Sequence, residues 1–341
     1  MNIVDIQTEV KYIELKTPFI TALRRVESVE FVRVTFRCEN GLIGIGEAPA
    51  TVAITGEGID DILHSIDFAG EILLFQSPQD AIHEIYGLEI GSSAKAAMDI
   101  ALVSLLAQEK NQKLYEYFGA KEARAIESDI TISFNEIDVM LEDVQKAVDE
   151  GIKKLKIKVA KNIKHAIDIV TQVSKKYPHV EILVDANQAW SVTDTLHFIK
   201  AMKNISLELI EQPLQADDLD GMKSIKECSS VSILADESVF SLDDVKYVIE
   251  NGCADMINIK LMKCGGLTKA IEILEYAREK RVPCMLGSML EGPYSIQSAL
   301  HLAIAYKDVI KYVDLDSPLL YKEYPKELDF YYEKSRFLLK I

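Results

Sequence analysis

The segment KLKIKV at residues 154–159 is a short run containing Leu, Ile and Val. Similar short apolar runs are EILVD at 181–185, LELIE at 207–211 and SILAD at 232–236. Four more such runs lie at residues 129–133, 255–260, 282–287 and 310–314, and stretches with a helical spacing of apolar residues separate them. Alternating strands and helices are typical of a parallel sheet. Eight such units predict a modified TIM (β/α) barrel.

The first 120 residues have a different pattern, which predicts an N-terminal α+β domain. Residues 10–15 and 30–38 are rich in residues that favour strands, and Asn40-Gly41 after the second run predicts a hairpin turn. Residues 93–109 have helical spacing. We therefore predict an α+β domain at residues 1–120, a barrel with the chemical groups at 121–318, and a C-terminal segment at 319–341 that packs back on the first domain.

The composition restricts the class of protein and its partners. Hydrophobic residues make up 48% of the 341 residues, which is enough for a large globular core. The net charge of −16 disfavours nucleic acid and anionic membranes as partners. The N-terminus lacks the pattern of a signal peptide, and the five cysteines have no metal-ligand or redox spacing. We expect reduced thiols and a cytoplasmic protein that forms a homo-oligomer.

Ionisable side chains end six of the eight predicted strands. The intervals from Lys158 to Asp185, Glu211, Asp236 and Lys260 are 27, 26, 25 and 24 residues, which is one strand–helix unit each time. The carboxyl ends of barrel strands form the mouth at which barrel enzymes carry out chemistry. One charge at a strand end is usually a solvated loop residue, but an ordered series predicts an active site.

Three neighbouring strands end in carboxylates, at Asp185, Glu211 and Asp236. Carboxylates that converge repel one another unless a cation neutralises them, and hard oxygen ligands suit Mg²⁺. No cysteine or histidine lies at these ends, which disfavours zinc. The sequence therefore predicts one Mg²⁺ per subunit, with Asn187 and Glu237 next to its ligands.

Lys158 and Lys260 end the second and sixth strands, which lie opposite each other in a ring of eight. Lysine becomes an effective base when a nearby cation, such as the metal or Lys156, lowers its pKa. A substrate whose carboxylate lies at the metal has its α carbon between the two amines. This arrangement predicts inversion at the α carbon, with one lysine removing a proton and the other returning one.

Asp314 and Asp316 end the eighth strand, across the barrel from the predicted metal. Two acids at that place suit a cationic group at the far end of the substrate, such as an α-ammonium. The alternative is a pair of acids that cap a helix or lie in a loop.

These motifs resemble the enolase superfamily, in its muconate-lactonizing-enzyme subgroup. The matching segments are LKIKVA around Lys156 and Lys158, VDANQAW (184–190), LIEQP (209–213), LADES (234–238) and INIKLMKCGG (257–266). The resemblance covers nearly the whole chain. It implies a barrel with an N-terminal capping domain whose loops set substrate specificity, three metal-ligand motifs and two catalytic lysines.

Three further segments resemble those of dipeptide epimerases in this subgroup. DLDSP (314–318) resembles the segment that holds the dipeptide ammonium, and PFITALR (18–24) resembles a capping loop in which an arginine, here Arg24, binds a glutamate side chain. CMLGSMLE (284–291) resembles the seventh-strand segment. The resemblance implies that substrate contacts come from the following residues: Arg24, Thr131, Lys156, Ser288, Met289, Asp314 and Asp316.

The implied reaction is conversion of L-Ala-L-Glu to L-Ala-D-Glu. A dipeptide with a hydrophobic or cationic second residue is the first alternative. N-acylamino acid racemase, o-succinylbenzoate synthase and muconate cycloisomerase are others, although their substrates lack the ammonium that Asp314 and Asp316 suit. A binding protein without catalytic activity is a further alternative, but binding of a carboxylate does not require two opposed lysines.

Overall fold

The computed structural model describes residues 1–20 and 25–340. Eight parallel strands form a nearly closed barrel, in the order in which they occur along the chain. These strands are β5 (Ile130–Ile132), β6 (Lys154–Lys158), β7 (Glu181–Asp185), β8 (Leu209–Glu211), β9 (Ser232–Ala235), β10 (Met256–Lys260), β11 (Cys284–Gly287) and β12 (Ile310–Asp314). The prediction of a modified TIM barrel is confirmed, and each of the eight predicted strand segments contains one of these strands.

Helices connect successive barrel strands and pack around the outside. They are α6 (Ile137–Asp149), α7 (Ile163–Lys176), α8 (Val192–Ala201), α9 (Leu219–Cys228), α10 (Leu242–Glu250), α11 (Leu261–Cys264), α12 (Leu267–Lys280) and α13 (Pro293–Ala305). Ser191 and Ser241 begin α8 and α10 with side chains that accept hydrogen bonds from the backbone three residues later. These caps explain why α8 and α10 begin where they do.

The seam of the barrel lies between β5 and β12. The backbone N–H of Asp129 donates to the carbonyl oxygen of Val313 over 3.0 Å. The hydroxyl of Ser128 donates to the same carbonyl over 3.2 Å and accepts from the backbone N–H of Leu315 over 3.0 Å. These bonds bring residue 129 and the end of β12 together.

The interior of the barrel has an apolar floor and an ionisable mouth. A buried cluster consists of Leu183, Leu209, Leu234, Met256, Met285 and Tyr312. Side chains two residues apart on a strand point to the same face. Leu183 and Leu209 on the floor therefore place Asp185 and Glu211 two residues later at the mouth, inside the ring.

The N-terminal domain is a three-stranded antiparallel sheet covered by helices, as predicted. Its strands are β1 (Ile3–Ile20), β2 (Arg25–Cys38) and β3 (Ile43–Pro49), in that order. Its helices are α1 (Val52–Thr55), α2 (Ile59–Leu73), α3 (Pro78–Gly87), α4 (Ser92–Glu109) and α5 (Leu114–Tyr117). The predicted turn at Asn40-Gly41 connects β2 to β3, with Gly41 at a φ of 85°. None of the helices in the described residues is long and apolar enough to cross a membrane.

The C-terminal residues contact both parts of the molecule. Tyr321, just after α14 (Ser317–Leu320), bridges to Leu15 of β1, and the backbone N–H of Lys322 donates to the carbonyl oxygen of Glu14 over 2.8 Å. β13 (Phe330–Glu333) pairs with β14 (Arg336–Leu339), which pairs with β4 (Ile126–Glu127) just before the barrel. The domain limits at residues 120 and 318 stay a prediction.

Gly46 marks the closest approach between β3 and α4. A Cβ atom at residue 46 would lie 1.8 Å from the carbonyl oxygen of Ala97. This oxygen belongs to the backbone of the buried helix α4, so it cannot shift as a flexible side chain could. We expect Gly46→Ala to lower the free energy of unfolding by about 3 kcal/mol, at the upper end of overpacking effects. Thermal unfolding would measure the loss. Gly87→Ala is the matched control, since a Cβ there meets nothing within 4 Å, and an equal loss in both variants would contradict this account.

Candidate active site at the barrel mouth

A cleft with about 60 Å³ of water-accessible space opens at the carboxyl ends of the barrel strands. Ten of the predicted site residues line it: Thr131, Lys158, Asn187, Asp236, Glu237, Lys260, Ser288, Met289, Asp314 and Asp316. Lys156, Asp185 and Glu211 are fully buried. Phe19 from β1 and Ala53 and Ile54 from α1 also line the cleft, so the N-terminal domain contributes to its wall. Arg24 lies outside the described residues.

The carboxylates of Asp185, Glu211 and Asp236 lie on three adjacent strand ends. Asp185 and Glu211 are direct partners in the register of β7 and β8. All three side chains are buried, Asp236 acts to raise the pKa of Asp185, and both aspartates act to raise the pKa of Glu211. Burial, followed by the charge of Asp185, raises the pKa of Glu211 to about 7. The three groups lie side by side at the mouth, and their assignment as metal ligands stays a prediction.

Lysine ammonium groups neutralise this cluster. The Nζ atom of Lys158 lies 2.5 Å from Oδ2 of Asp185, and that of Lys260 lies 2.6 Å from Oδ2 of Asp236. Burial acts to lower the pKa of Lys260, but the charge of Asp236 raises it above its ordinary value overall. The neighbouring carboxylate outweighs both burial and Lys156. The lowering expected from a bound metal stays a prediction.

Lys156 occupies the centre of the network, beneath the cleft. Its Nζ atom lies 2.6 Å from Oδ2 of Asp314, 2.7 Å from Oε2 of Glu211 and 3.1 Å from Oδ2 of Asp185. Burial opposes the charge on this lysine, but these carboxylates raise its pKa well above the ordinary value. Lys156 is therefore a fixed positive charge that joins the acids on opposite sides of the mouth.

The donor groups at the mouth have the chemistry of a divalent-cation site. Within residues 1–20 and 25–340, no group of three or more His, Cys, Asp or Glu side chains already has an arrangement that would hold a metal ion. Oε2 of Glu211 lies close to Lys156 but has no hydrogen bond of acceptable geometry among the described residues. An all-oxygen set with an unsatisfied buried carboxylate oxygen fits Mg²⁺ once the lysines move aside.

The residues expected next to the cluster lie at its edge. The backbone N–H of Asn187 donates to Oδ1 of Asp185 over 2.9 Å, and its side-chain amide donates to Oε1 of Glu237 over 3.1 Å. Asn187 adopts a φ of 42°, so the chain turns sharply just after β7. This turn holds the Asp185 carboxylate in one orientation.

The opposite side of the cleft carries the second pair of acids. The backbone N–H of Thr131 donates to Oδ2 of Asp316 over 2.7 Å. Burial, followed by the charge of Asp314, raises the pKa of Asp316 to about 6. Burial acts in the same direction on Asp314, but Lys156 lowers the pKa of Asp314 overall. Ser288 and Met289 lie beside these acids, and the hydroxyl of Ser317 donates to the carbonyl oxygen of Met289 over 2.9 Å.

Two buried residues of the site were missed in the sequence. The amide of Asn258 donates to Oε1 of Glu211 over 2.9 Å. The Nζ atom of Lys263 donates to Oδ1 of Asp236 over 2.6 Å and to the carbonyl oxygen of Asn258 over 3.0 Å. Asn258 lies two residues before Lys260 on β10. Because side chains two residues apart on a strand point to the same face, the sequence could have indicated that Asn258 also faces the barrel interior. Lys263 lies in α11 after the strand, where strand periodicity gives none.

Comparison with known proteins agrees with this geometry. Residues 139–337 match the enolase C-terminal domain-like family, and residues 4–119 match the mandelate racemase / muconate lactonizing enzyme N-terminal domain. The chain belongs to the enolase superfamily. Its sequence is 60% identical to L-amino acid-D/L-Glu epimerase of Sulfurimonas denitrificans over 334 residues, which cover 98% of each chain. The resemblance seen in the sequence motifs is therefore confirmed.

Solved structures of enolase superfamily enzymes have the same fold. The substrate-liganded L-Ala-D/L-Glu epimerase from Bacillus subtilis superposes with a TM-score of 0.96 at 35% identity, covering 99% of this chain and 96% of that one. Dipeptide epimerase from Enterococcus faecalis, complexed with Mg and the dipeptide L-Leu-L-Tyr, superposes with a TM-score of 0.93 at 32% identity, covering 99% and 97%. The dipeptides named for these two relatives, Ala-Glu and Leu-Tyr, differ in both residues.

Proposed function

We propose that this protein is a dipeptide epimerase that inverts the α carbon of the C-terminal residue, converting L-Ala-L-Glu to L-Ala-D-Glu. It is an enzyme, an isomerase that acts on amino acid derivatives. The observation that carries the proposal is the position of Lys158 and Lys260. They end β6 and β10, which lie four strands apart in the ring, and both side chains line one cleft that also contains Asp314 and Asp316.

The substrate is proposed to lie across the mouth of the barrel. Asp314 and Asp316 receive its α-ammonium group, since they line the cleft at the end of β12, which lies four strands from β8 and Glu211 in the ring. Its C-terminal carboxylate then points toward the carboxylates of Asp185, Glu211 and Asp236 and needs a counter-ion there. This orientation puts the α carbon of the second residue between the two lysines.

Epimerisation then requires two proton transfers on opposite faces of that carbon. One lysine, as a neutral amine, accepts the α proton, and the electron pair left behind delocalises into the adjacent carboxylate. The other lysine, as an ammonium group, donates a proton to the opposite face, and the configuration is inverted. The reverse reaction exchanges the two roles. The buried position of the cleft keeps water from competing for these protons.

We propose Mg²⁺ as the cofactor, held by Asp185, Glu211 and Asp236. When bound, it would replace the ammonium groups as counter-ion of these carboxylates and would neutralise the charge that develops on the substrate carboxylate. Asn187, Asn258 and Lys263 orient the three side chains through the hydrogen bonds described above. The Mg-bound structure of the relative from Enterococcus faecalis supports this assignment.

Proton NMR in D₂O tests the reaction and the substrate together. With enzyme and Mg²⁺, the α-proton signal of the Glu residue in L-Ala-L-Glu should disappear, and signals of the L,D diastereomer should grow in. Dipeptides with hydrophobic or cationic second residues form the comparison set, because the relative with bound L-Leu-L-Tyr shows that this position varies. Exchange on a different dipeptide would change the substrate and keep the mechanism. No exchange on any dipeptide would refute the proposed function.

Asp316→Asn is expected to lower kcat/KM for the dipeptide about 100-fold, mainly through KM, since one charge of the ammonium site is lost. Asp308→Asn is the matched control, because Asp308 is exposed and lies near the start of the same strand. An N-acetylated amino acid, which lacks the ammonium, is the comparison substrate. An Asp316→Asn enzyme that keeps full activity on the dipeptide, or a wild-type enzyme that prefers the acylated substrate, would favour N-acylamino acid racemase.

We also expect a homo-oligomer and a cytoplasmic location, which stay predictions from the sequence.

A further inference from the structure

Asp129 is a buried acid that the proposed mechanism does not use. It immediately precedes β5, and only 2% of its surface is exposed. Among the residues that the structure describes, neither oxygen of its carboxyl group has a hydrogen-bond donor. A buried, ionised carboxylate without a donor is strongly destabilising, so this group needs a separate explanation.

The surroundings of Asp129 are acidic. Its backbone N–H donates to the carbonyl oxygen of Val313 over 3.0 Å, which places Asp129 beside Asp314 at the end of β12, with Asp316 and Lys156 as the other charged groups nearby. The ammonium group of Lys156 is already engaged by Asp314 at 2.6 Å and by Glu211 at 2.7 Å. Lys158 and Lys260 also act on Asp314, but among the described residues Asp129 itself forms no ion pair and no side-chain hydrogen bond.

We propose that Asp129 is held as a neutral carboxylic acid that donates its proton to the Asp314 carboxylate, and that it is a positioning residue for the ammonium-binding pair Asp314 and Asp316. Two neighbouring buried carboxyl groups resist ionising together, so the proposed pair shares one proton. Lys156 contacts Asp314, which keeps the negative charge on that residue. Burial, followed by the charge of Asp314, raises the pKa of Asp129 well above its ordinary value, which agrees with this assignment.

The shared proton has a consequence for substrate binding, which rests on the proposed function. Asp314 is then held from below by two donors, the Asp129 acid and the Lys156 ammonium. Its carboxylate is fixed for a cation that enters from the cleft. The proton on Asp129 also removes one negative charge from this side of the site. The remaining charges of Asp314, Asp316 and Lys156 are then balanced by one ammonium group rather than by a dication.

Infrared spectroscopy of the substrate-free enzyme at about pH 8 tests the proton directly, because ordinary Asp residues are ionised there. We expect the carbonyl-stretch band of a protonated carboxyl group in wild type and its loss in Asp129→Asn. Asp316 does not interfere, since its pKa of about 6 leaves it ionised. Asp99→Asn is the control: Asp99 is another buried acid, with a pKa raised to about 6, and its replacement should leave the band unchanged. An unchanged band in Asp129→Asn would overturn the proposal.

Kinetics test the positioning role. Asparagine keeps a hydrogen to donate to Asp314, so Asp129→Asn should hold the KM for the dipeptide within about threefold. Asp129→Val has no donor and should raise KM about tenfold, the effect of one lost buried hydrogen bond. Equal effects of the two variants, or no effect of either, would overturn the positioning role. If Asp129→Val does not fold, the infrared result and the Asn variant decide. If wild type turns over no dipeptide, the proposed function fails while the infrared experiment still tests the shared proton.

Discussion

Replacing Lys260 by alanine is expected to abolish epimerisation while hydrogen exchange continues at the α carbon of one epimer. Inversion needs a base on one face and an acid on the other, whereas exchange with solvent needs one lysine that both removes and returns a hydrogen. Lys158 and Lys260 end strands on opposite sides of the barrel, so each reaches one face only. Loss of a positioned acid–base group should slow epimerisation about 10³-fold or more.

The Lys158→Ala enzyme should have the complementary behaviour. Each pure epimer is incubated in D₂O with each variant, and deuterium incorporation at the α carbon is measured. Lys260→Ala should label one epimer only, and Lys158→Ala should label only the other. Lys161→Ala is the matched control, since this exposed lysine follows Lys158 by three residues. If one of the two variants lost hydrogen exchange of both epimers while the other variant kept exchange of both, a single lysine would be carrying out all proton transfers. Circular dichroism would establish that the variants are folded.

The barrel was predictable because its signal is local and repeated. Each strand is a short apolar run, and β7 has the predicted bounds, Glu181–Asp185. β12 also has its predicted bounds, and the other six strands differ from their predictions by one or two residues at their ends, where polar residues such as Asp236 and Ser133 leave the ladder. The assignment of charged groups to the mouth followed from the same strands, since the last residue of a barrel strand always faces the same end.

The pairing of charges was not predictable, because it depends on side-chain length and on contacts across the ring. The sequence placed Asp314 away from the metal cluster, but Lys156 connects Asp314 to Glu211 and Asp185 through one ammonium group. The raised pKa of Lys260 was not predictable for the same reason, since it follows from a contact with Asp236 at the end of the neighbouring strand. Motifs identify which groups are present, while their electrostatics depend on distances that only the structure gives.

Glu211→Gln is expected to lower the affinity for Mg²⁺ more than about 100-fold and to reduce epimerisation accordingly. Glu211 is the central carboxylate of the three, and its Oε2 atom lacks a satisfactory hydrogen bond among the described residues. The substitution keeps the shape of the side chain and its bond to Asn258, but it removes the charge that a hard cation requires. Removal of one ligand should exceed the effect of about 10- to 100-fold that is typical of outer-shell changes.

Stability should change in the opposite direction. The pKa of Glu211 is about 7 in the folded protein and near 4.5 in an ordinary environment, so its ionisation destabilises the fold. Its contribution to stability is fully present below about pH 4.5 and is lost as the pH rises through about 7. The metal-free Glu211→Gln protein should therefore unfold at a higher temperature than metal-free wild type above about pH 7.

Isothermal titration with Mg²⁺ and thermal unfolding with and without EDTA measure the two effects separately from turnover. Glu208→Gln is the matched control, because Glu208 immediately precedes β8 and lies at the opposite end of that strand, where it accepts a hydrogen bond from Tyr312. Wild-type affinity for Mg²⁺ in Glu211→Gln would exclude Glu211 as a ligand. A lower affinity together with a lower unfolding temperature in EDTA would instead indicate that Glu211 supports the fold. If Glu211 serves only to bind the cation, the Gln variant should unfold at a higher temperature than wild type when the cation is absent.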